Sequence, residues 1–380
     1  MTAPLAGIKV LEMALQYPGP YCSTIMAGLG ADILKVERPG TGDAARRRPA
    51  FFNPINRNKK SLTLDLKSPK GVEILHRLAA QCDVVTEGFR PGVVGRLGID
   101  YATLSRINPR LVYCSISGYG QSGPYSDLPG HDLNYMALSG MLNCFLDDHE
   151  MPILPGVAIA DLSAGMFAAI GIMAALAGRQ TTGKGRYVEI SMLDGLLSWM
   201  ATNLSLYADT GLTQKQRDAG YGLFKTRDGK LLALGIAHEN WFWDRLCMLV
   251  GLEQLVGIPG LERNQRREEL IEPLKNILLQ KDLDEWVQLF KEADVPATPV
   301  LDMGEVLQDA HVKMREMVAV VSDKKGMKSV QPGFPIKFFP EARVSVERDA
   351  PALGEHTAEI LGALGYRAED IQRFRDDGVV

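Results

Sequence analysis

Ile8-Lys9-Val10-Leu11-Glu12, then a helix-like stretch over residues 20–29, then Ile33-Leu34-Lys35-Val36, is the passage on which the fold turns. Two short aliphatic runs separated by one helix-length segment read as a βαβ unit, whose crossover makes the two strands parallel. The pattern continues outward. Val84-Val85-Thr86-Glu87, residues 111–117 and Val188-Glu189-Ile190 read as further strands, and residues 69–80 and 101–107 have helical composition and spacing. Several of these runs are nearly continuous in apolar residues, as in strands covered on both faces. The expected class is α/β, with a Rossmann-like large domain built on a parallel sheet and beginning with residues 1–208.

The first turn argues against a dinucleotide. Leu11-Glu12 is not followed by Gly-x-Gly-x-x-Gly, and Gly28-Leu29-Gly30-Ala31 falls at a helix end. A pyrophosphate needs the strand-to-helix turn, so NAD and FAD are disfavoured. Thr181-Thr182-Gly183-Lys184-Gly185-Arg186 lacks the Ser or Thr that follows a Walker lysine, and reads as a turn into the Tyr187 strand.

Beyond residue 208 the apolar pattern stops. Asp209-Thr210-Gly211 and Gln214-Lys215-Gln216-Arg217-Asp218 mark a linker over 209–222, and a smaller α+β domain is expected over 223–325. Its opening is a hairpin with Arg227-Asp228-Gly229-Lys230 at the turn. Helical patterns follow at 241–249 and 283–293, and a final helix at 357–364.

Composition excludes more than it assigns. The chain has 380 residues, 46% of them hydrophobic, enough for one large core or two unequal ones. A formal charge of -4 and no long basic tract leave no electrostatic footprint for nucleic acid or a membrane surface. Five scattered cysteines without a Cys-x-x-Cys pair read as reduced core residues. The apolar run 166–176 is too short to span a bilayer, and the N-terminus has no signal-peptide pattern, so the expected location is the cytoplasm.

Two segments carry the chemistry: Gly130-His131-Asp132-Leu133-Asn134-Tyr135 and Ile159-Ala160-Asp161-Leu162-Ser163-Ala164-Gly165. His131 ends a glycine-rich loop that leaves the 111–117 strand at its carboxyl end, where open α/β sheets place ligands. Asp161 precedes a long apolar run, so it reads either as an ordinary helix N-cap or as a functional carboxylate near free helix amides. Those amides could also serve an oxyanion. Glu239, in Ala237-His238-Glu239-Asn240-Trp241-Phe242, is a third candidate beyond the linker. His76, His149 and His356 read as structural or surface residues, while His238 and His311 stay undecided. With no His-x-x-x-His or similar cluster, no metal site is expected.

Motifs spread along the whole chain resemble a known family. They include Gly30-Ala31-Asp32, Val36-Glu37-Arg38-Pro39-Gly40, Asn56-Arg57-Asn58-Lys59-Lys60-Ser61-Leu62, Phe89-Arg90-Pro91-Gly92-Val93, Gly118-Tyr119-Gly120-Gln121-Ser122-Gly123-Pro124 and Leu353-Gly354-Glu355-His356-Thr357. The chain resembles the family III CoA transferases, the carnitine/bile-acid CoA transferase family, and within it the α-methylacyl-CoA racemase branch. That resemblance implies two chains interlocked as a homodimer, with residues 326–380 returning to the large domain. It implies an acyl-CoA substrate, CoA entering only as part of that substrate, and no tightly bound cofactor. Arg38, Leu64, Asp65, Leu66, Lys67, Gly88, Phe89, Arg90 and Arg96 would line the nucleotide end. Gly130, Asp132, Leu133, Asn134 and Tyr135 would hold the thioester end.

Two reactions follow from the resemblance. In a racemase, His131, paired with Glu239, and Asp161 flank the α-carbon of a 2-methylacyl-CoA and exchange acid and base roles. In a CoA transferase, Asp161 attacks the thioester and becomes an aspartyl-CoA thioester, while His131 orients the substrate. Gly-His-Asp-Leu-Asn-Tyr and Glu239 favour the racemase. Leu162-Ser163-Ala164-Gly165 and the Pro155-Gly156-Val157-Ala158 approach to Asp161 favour the transferase.

Overall fold

The computed structural model describes residues 3–147, 149–213, 218–322, 326, 328–338 and 348–380. The described chain divides into two compact units, Met1–Ala201 with Met314–Val380, and Thr202–Lys313. Part of the expected linker, residues 214–217, lies outside the described residues, as do 323–325 of the expected small domain and 327 and 339–347 of the C-terminal segment.

The first unit is built on six parallel strands: β1 (Lys9–Glu12), β2 (Asp32–Glu37), β3 (Lys59–Thr63), β4 (Val84–Glu87), β5 (Val112–Ser117) and β6 (Tyr187–Ser191). Their order is β3-β2-β1-β4-β5-β6, so the winding reverses between β1 and β4. Alternate side chains serve opposite faces. Leu11, Val85 and Tyr113 pack with the helix Pro69–Ala79 and the C-terminal helices. Val10, Val84, Val112 and Cys114 pack with the helices Pro18–Gly28 and Ile159–Thr182. Helices cover the sheet on both faces, and its central strands β4 and β5 are buried along their whole length.

β3 is the strand that sequence reading missed. Lys59-Lys60-Ser61 lacks the apolar run of the expected strands, yet Lys59 is buried, and Glu12, at the end of β1, meets its ammonium at 3.0 Å. Glu12 also meets Lys35 of β2 at 3.2 Å, and Lys35 meets Asp43 at 3.1 Å. The end of β1, the middle of β2 and the start of β3 therefore share one buried set of charges. Such groups are tolerated inside a protein only as a paired, hydrogen-bonded set.

The helix over Ile159–Thr182 has 24 residues, longer than the 166–176 run suggested, and by length and composition it could cross a bilayer. Here Ala164, Ala168, Ala169 and Ile172 are buried against the sheet and against Cys22 and Met26. It ends at Gly183, whose φ of +69° suits the left-handed cap. Gly185 then passes Leu111 so closely that a Cβ would lie 1.9 Å from its carbonyl oxygen.

The C-terminal segment joins the first unit along β3. The amide of His356 donates to Ser61 O at 2.9 Å, and that of Asp65 to Val379 O at 2.8 Å. Upstream, β10 (Val318–Ser322) and β11 (Lys328–Pro332) pair antiparallel. Thr357–Ala363 is not the last helix, because Ala368–Asp376 follows. The latter buries only Ile371 and Phe374, a stripe too narrow to stand out in the sequence. Cys22, Cys114 and Cys247 are buried as expected, but Cys144 is exposed.

In the second unit β7 (Tyr221–Lys225), β8 (Leu231–Gly235) and β9 (Ala297–Pro299) form an antiparallel sheet. Helices Asn240–Val250, Arg267–Leu278 and Leu283–Glu292 cover it around Phe224, Trp243, Leu274 and Phe290.

Candidate active site

A cleft of about 500 Å³ opens in the first unit, at the carboxyl ends of β1, β4 and β5. It is lined by the ends of those strands and the segments that leave them: residues 14–19 after β1, 88–91 after β4 and 116–119 at the end of β5 and just beyond it. This is the reversal point of the sheet, where neighbouring loops diverge and leave a crevice. His131 and Asp161 both line it, with Gly130 and Tyr135.

His131 sits at the N-cap of the helix Asp132–Leu138. Asn134 reaches back to accept the His131 amide at 3.0 Å, and Tyr135 donates its hydroxyl to Gly130 O at 2.7 Å. Both bonds fix the loop that presents the imidazole. Tyr135 is itself held edge-on to Tyr119, with ring centroids 5.0 Å apart. Gly118 must be glycine for this packing, since a Cβ there would meet the Tyr135 ring at 2.5 Å.

Asp161 is not a helix cap. The N-cap of its helix is Ala158, which has no side chain to offer, and Asp161 is the third helical residue. The cap comes from Asp132, whose Oδ1 accepts the amides of Ala160 at 2.6 Å and of Asp161 at 3.2 Å. The expected supply of amides for an oxyanion at this helix start is thus reduced by two. The same contact brings a second carboxylate towards Asp161. Burial, and then the like charge of Asp132, push the Asp161 carboxyl up to about 7 from an ordinary 3.8. Asp132 is also raised, by its own burial.

Of the other expected contacts, Gly88, Phe89 and Arg90 line the cleft, whereas Arg38, Leu64, Asp65, Leu66, Lys67, Arg96, Leu133 and Asn134 do not. Leu64 is a core residue and Leu66 packs against the same core. Arg38, Lys67 and Arg96 are exposed. Glu239 lies in the second unit, where it begins the helix Asn240–Val250 and accepts the Ala237 amide at 3.1 Å. Amide donors, its own and that of Ala237, hold its carboxyl below the usual value.

The cleft also includes residues that sequence reading did not assign to it: Gln16, Phe51, Ser126 and Leu128. Applying the crevice rule to the first strand would have found Gln16, but the rule needs the strand order, which is not local information. Among the described residues no cluster of His, Cys, Asp and Glu could hold a metal ion.

A model of one family matches residues 5–357. The chain belongs to CoA-transferase family III. It is 35% identical to human alpha-methylacyl-CoA racemase, over 99% of this chain and 97% of that one. It is 32% identical to human succinyl-CoA:glutarate CoA-transferase, over 99% and 90%. A crystal structure of a CAIB/BAIF family protein from Brucella suis matches 96% of this chain and 100% of its own, at 30% identity and a TM-score of 0.84. Family III is thus a family of enzymes acting on CoA-linked substrates, and both racemases and transferases stand at similar distance from this chain.

Proposed function

We propose that this chain is a cytoplasmic racemase of 2-methylacyl-CoA thioesters. The observation that carries the reading is the Asp161 carboxyl, half-buried in the same cleft as His131 and lifted to about 7. A carboxyl at that value is present in both protonation states at neutral pH, which a group that removes a proton in one direction and returns it in the other requires. One of the two takes the α-proton of the thioester, and the electron pair left on carbon delocalises into the thioester oxygen. The other then delivers a proton to the opposite face.

In this reading Gly88, Phe89 and Arg90, with the exposed Arg38, Lys67 and Arg96, face the nucleotide of CoA. The Gly130–Tyr135 segment faces the thioester. Glu239 of a second copy pairs with His131 in an interlocked homodimer. Exposed apolar side chains such as Leu154, Val157, Ile170 and Leu212 support an interface with another copy. The transferase reading, in which Asp161 attacks the thioester, is favoured by the succinyl-CoA:glutarate relative.

The test is incubation with a (2R)-2-methylacyl-CoA in deuterated water without an acceptor acid. Deuterium at the α-carbon with formation of the other epimer, lost in His131→Ala and Asp161→Asn, is the expected result. CoA transfer to added acids through a trappable Asp161 thioester, without exchange, would replace it with the transferase.

A further inference from the structure

The loops that leave β1, β2, β4 and β5 each turn through a residue of positive φ. After β2, β4 and β5 that residue is a glycine, Gly40 at +72°, Gly92 at +77° and Gly120 at +91°. After β1 it is Gln16, at +67°. Glycine holds this conformation freely, whereas a residue with a Cβ is strained in it. The other described side chains carried at positive φ, on Asn58, Glu150, Asp294 and Glu316, lie outside the cleft. Gln16 lines it.

Buried charges hold the strained turn. Asp43 and Lys35 are both fully buried and meet at 3.1 Å. Asp43 accepts the Gln16 amide at 3.0 and 3.2 Å, and the Lys35 ammonium donates to Ala14 O at 3.1 Å. The segment then closes on itself, since a Cβ on Gly19 would lie 2.1 Å from that of Ala14. The main chain on both sides of Leu15 is thus fixed from within the fold. The side chain of Gln16 is not: the residue is exposed, and its carboxamide has no hydrogen-bond partner among the described residues.

Glycine would serve the turn alone, as it does after the other strands, so a glutamine kept there against strain points to work done by its side chain. The turn lies near the reacting groups. Burial, then Tyr21, Asp161 and Asp132, raise the hydroxyl of the next residue, Tyr17, above its ordinary value. Beside two carboxyl groups a phosphate is poorly placed. An uncharged carboxamide instead offers one acceptor and two N–H donors to a carbonyl or an amide.

We propose that Gln16 is a substrate-binding residue, its carboxamide hydrogen-bonding a neutral carbonyl or amide in the pantetheine–thioester arm of the acyl-CoA. The proposal rests on the acyl-CoA reading above and is independent of which of the two reactions follows.

The test is a binding measurement that needs no turnover. Three unreactive probes are titrated calorimetrically into the intact protein: the adenosine bisphosphate part of CoA, free CoA, and an acyl-CoA analogue whose thioester is replaced by a ketone. Gln16→Leu keeps the bulk and removes the carboxamide. It should weaken the ketone analogue roughly three- to tenfold, the scale of one neutral hydrogen bond, and leave the nucleotide unchanged. Loss shared by free CoA assigns the contact to a pantetheine amide, and loss in the ketone analogue alone assigns it to the acyl carbonyl. Gln16→Gly, relieved of strain, should unfold at a higher urea concentration than the wild type and yet bind as weakly as Gln16→Leu. Wild-type affinity in either variant would overturn the proposal, as would an equal loss for all three probes. A lower urea midpoint for Gln16→Gly would also overturn it, since the turn would then not be strained. Failure of CoA to bind the wild-type protein would remove the acyl-CoA reading itself, an outcome distinct from binding that ignores residue 16.

Discussion

Replacing Asp161 by Asn should stabilise the fold, and more so at pH 8 than at pH 5. The carboxyl titrates at about 7 in the folded chain against an ordinary 3.8, so between those values the native state holds a proton that the unfolded chain has released. Wild-type stability therefore falls as pH rises through this window and levels off above it. At 1.36 kcal/mol for each tenfold change in proton affinity, the penalty is roughly 4 kcal/mol at pH 8 and roughly 1.5 kcal/mol at pH 5. Asn keeps the volume and removes the charge. The variant should gain roughly 2 to 3 kcal/mol more at pH 8 than at pH 5, read from urea unfolding midpoints of the intact chain. A gain of equal size at both values, or a larger one at pH 5, would refute the assignment of a raised carboxyl. The same variant should lose α-proton exchange, as expected where a site is kept at the cost of stability.

Asp132→Asn removes the like charge beside Asp161 and so should lower its pKa. The acid limb of the pH–rate profile for exchange then moves to lower pH, and a limb that stays or moves up would contradict the coupling. Glu12→Gln leaves Lys35 and Lys59 buried without their shared carboxylate, and should cost roughly 3 to 5 kcal/mol by urea unfolding. An unchanged midpoint would show that the set is dispensable. Gly118→Ala places a methyl 2.5 Å from the Tyr135 ring, so the ring must shift and its bond to Gly130 O weaken. Exchange should fall at least several-fold while Gly140→Ala, which meets nothing within 4 Å but sits at φ +78°, should affect only stability.

Most of the sheet was legible because its signal is local. A short run opening on β-branched apolar residues between turn signals identifies a strand whatever its neighbours are, and 84–87 appear in the structure with the expected bounds. β3 failed that test because what makes Lys59 and Lys60 compatible with a strand is not in their own segment. Lys59 depends on Glu12, 47 positions earlier and two strands away in the sheet, and Lys60 reaches Glu359 at 2.7 Å. His131 was legible for the opposite reason, since a glycine-rich loop, an imidazole and a helix start are contiguous. The part of the cleft wall made by Tyr17, Phe51 and Arg48 was not, because these residues are brought together by the packing of separate segments around Asp43.

Asp161 shows how one non-local contact changes the chemistry of a residue that was correctly singled out. A carboxylate near a helix start is ordinarily favoured in its charged form, because unpaired amides face it and the helix dipole adds to them. Here Ala158 holds the cap position, and the amides of Ala160 and Asp161 are answered by Asp132 from a different helix. The cap is satisfied, so the helix does not depend on Asp161 for it. What remains for Asp161 is burial and a neighbouring negative charge, and both act against ionisation. By capping the helix itself, Asp132 removes the stabilisation Asp161 would otherwise receive and adds repulsion in its place. The fold thus gives up stability at one residue to hold a carboxyl near 7, where it can serve as acid or base, and exchanging Asp132 for Asn should reverse that trade without opening the helix end.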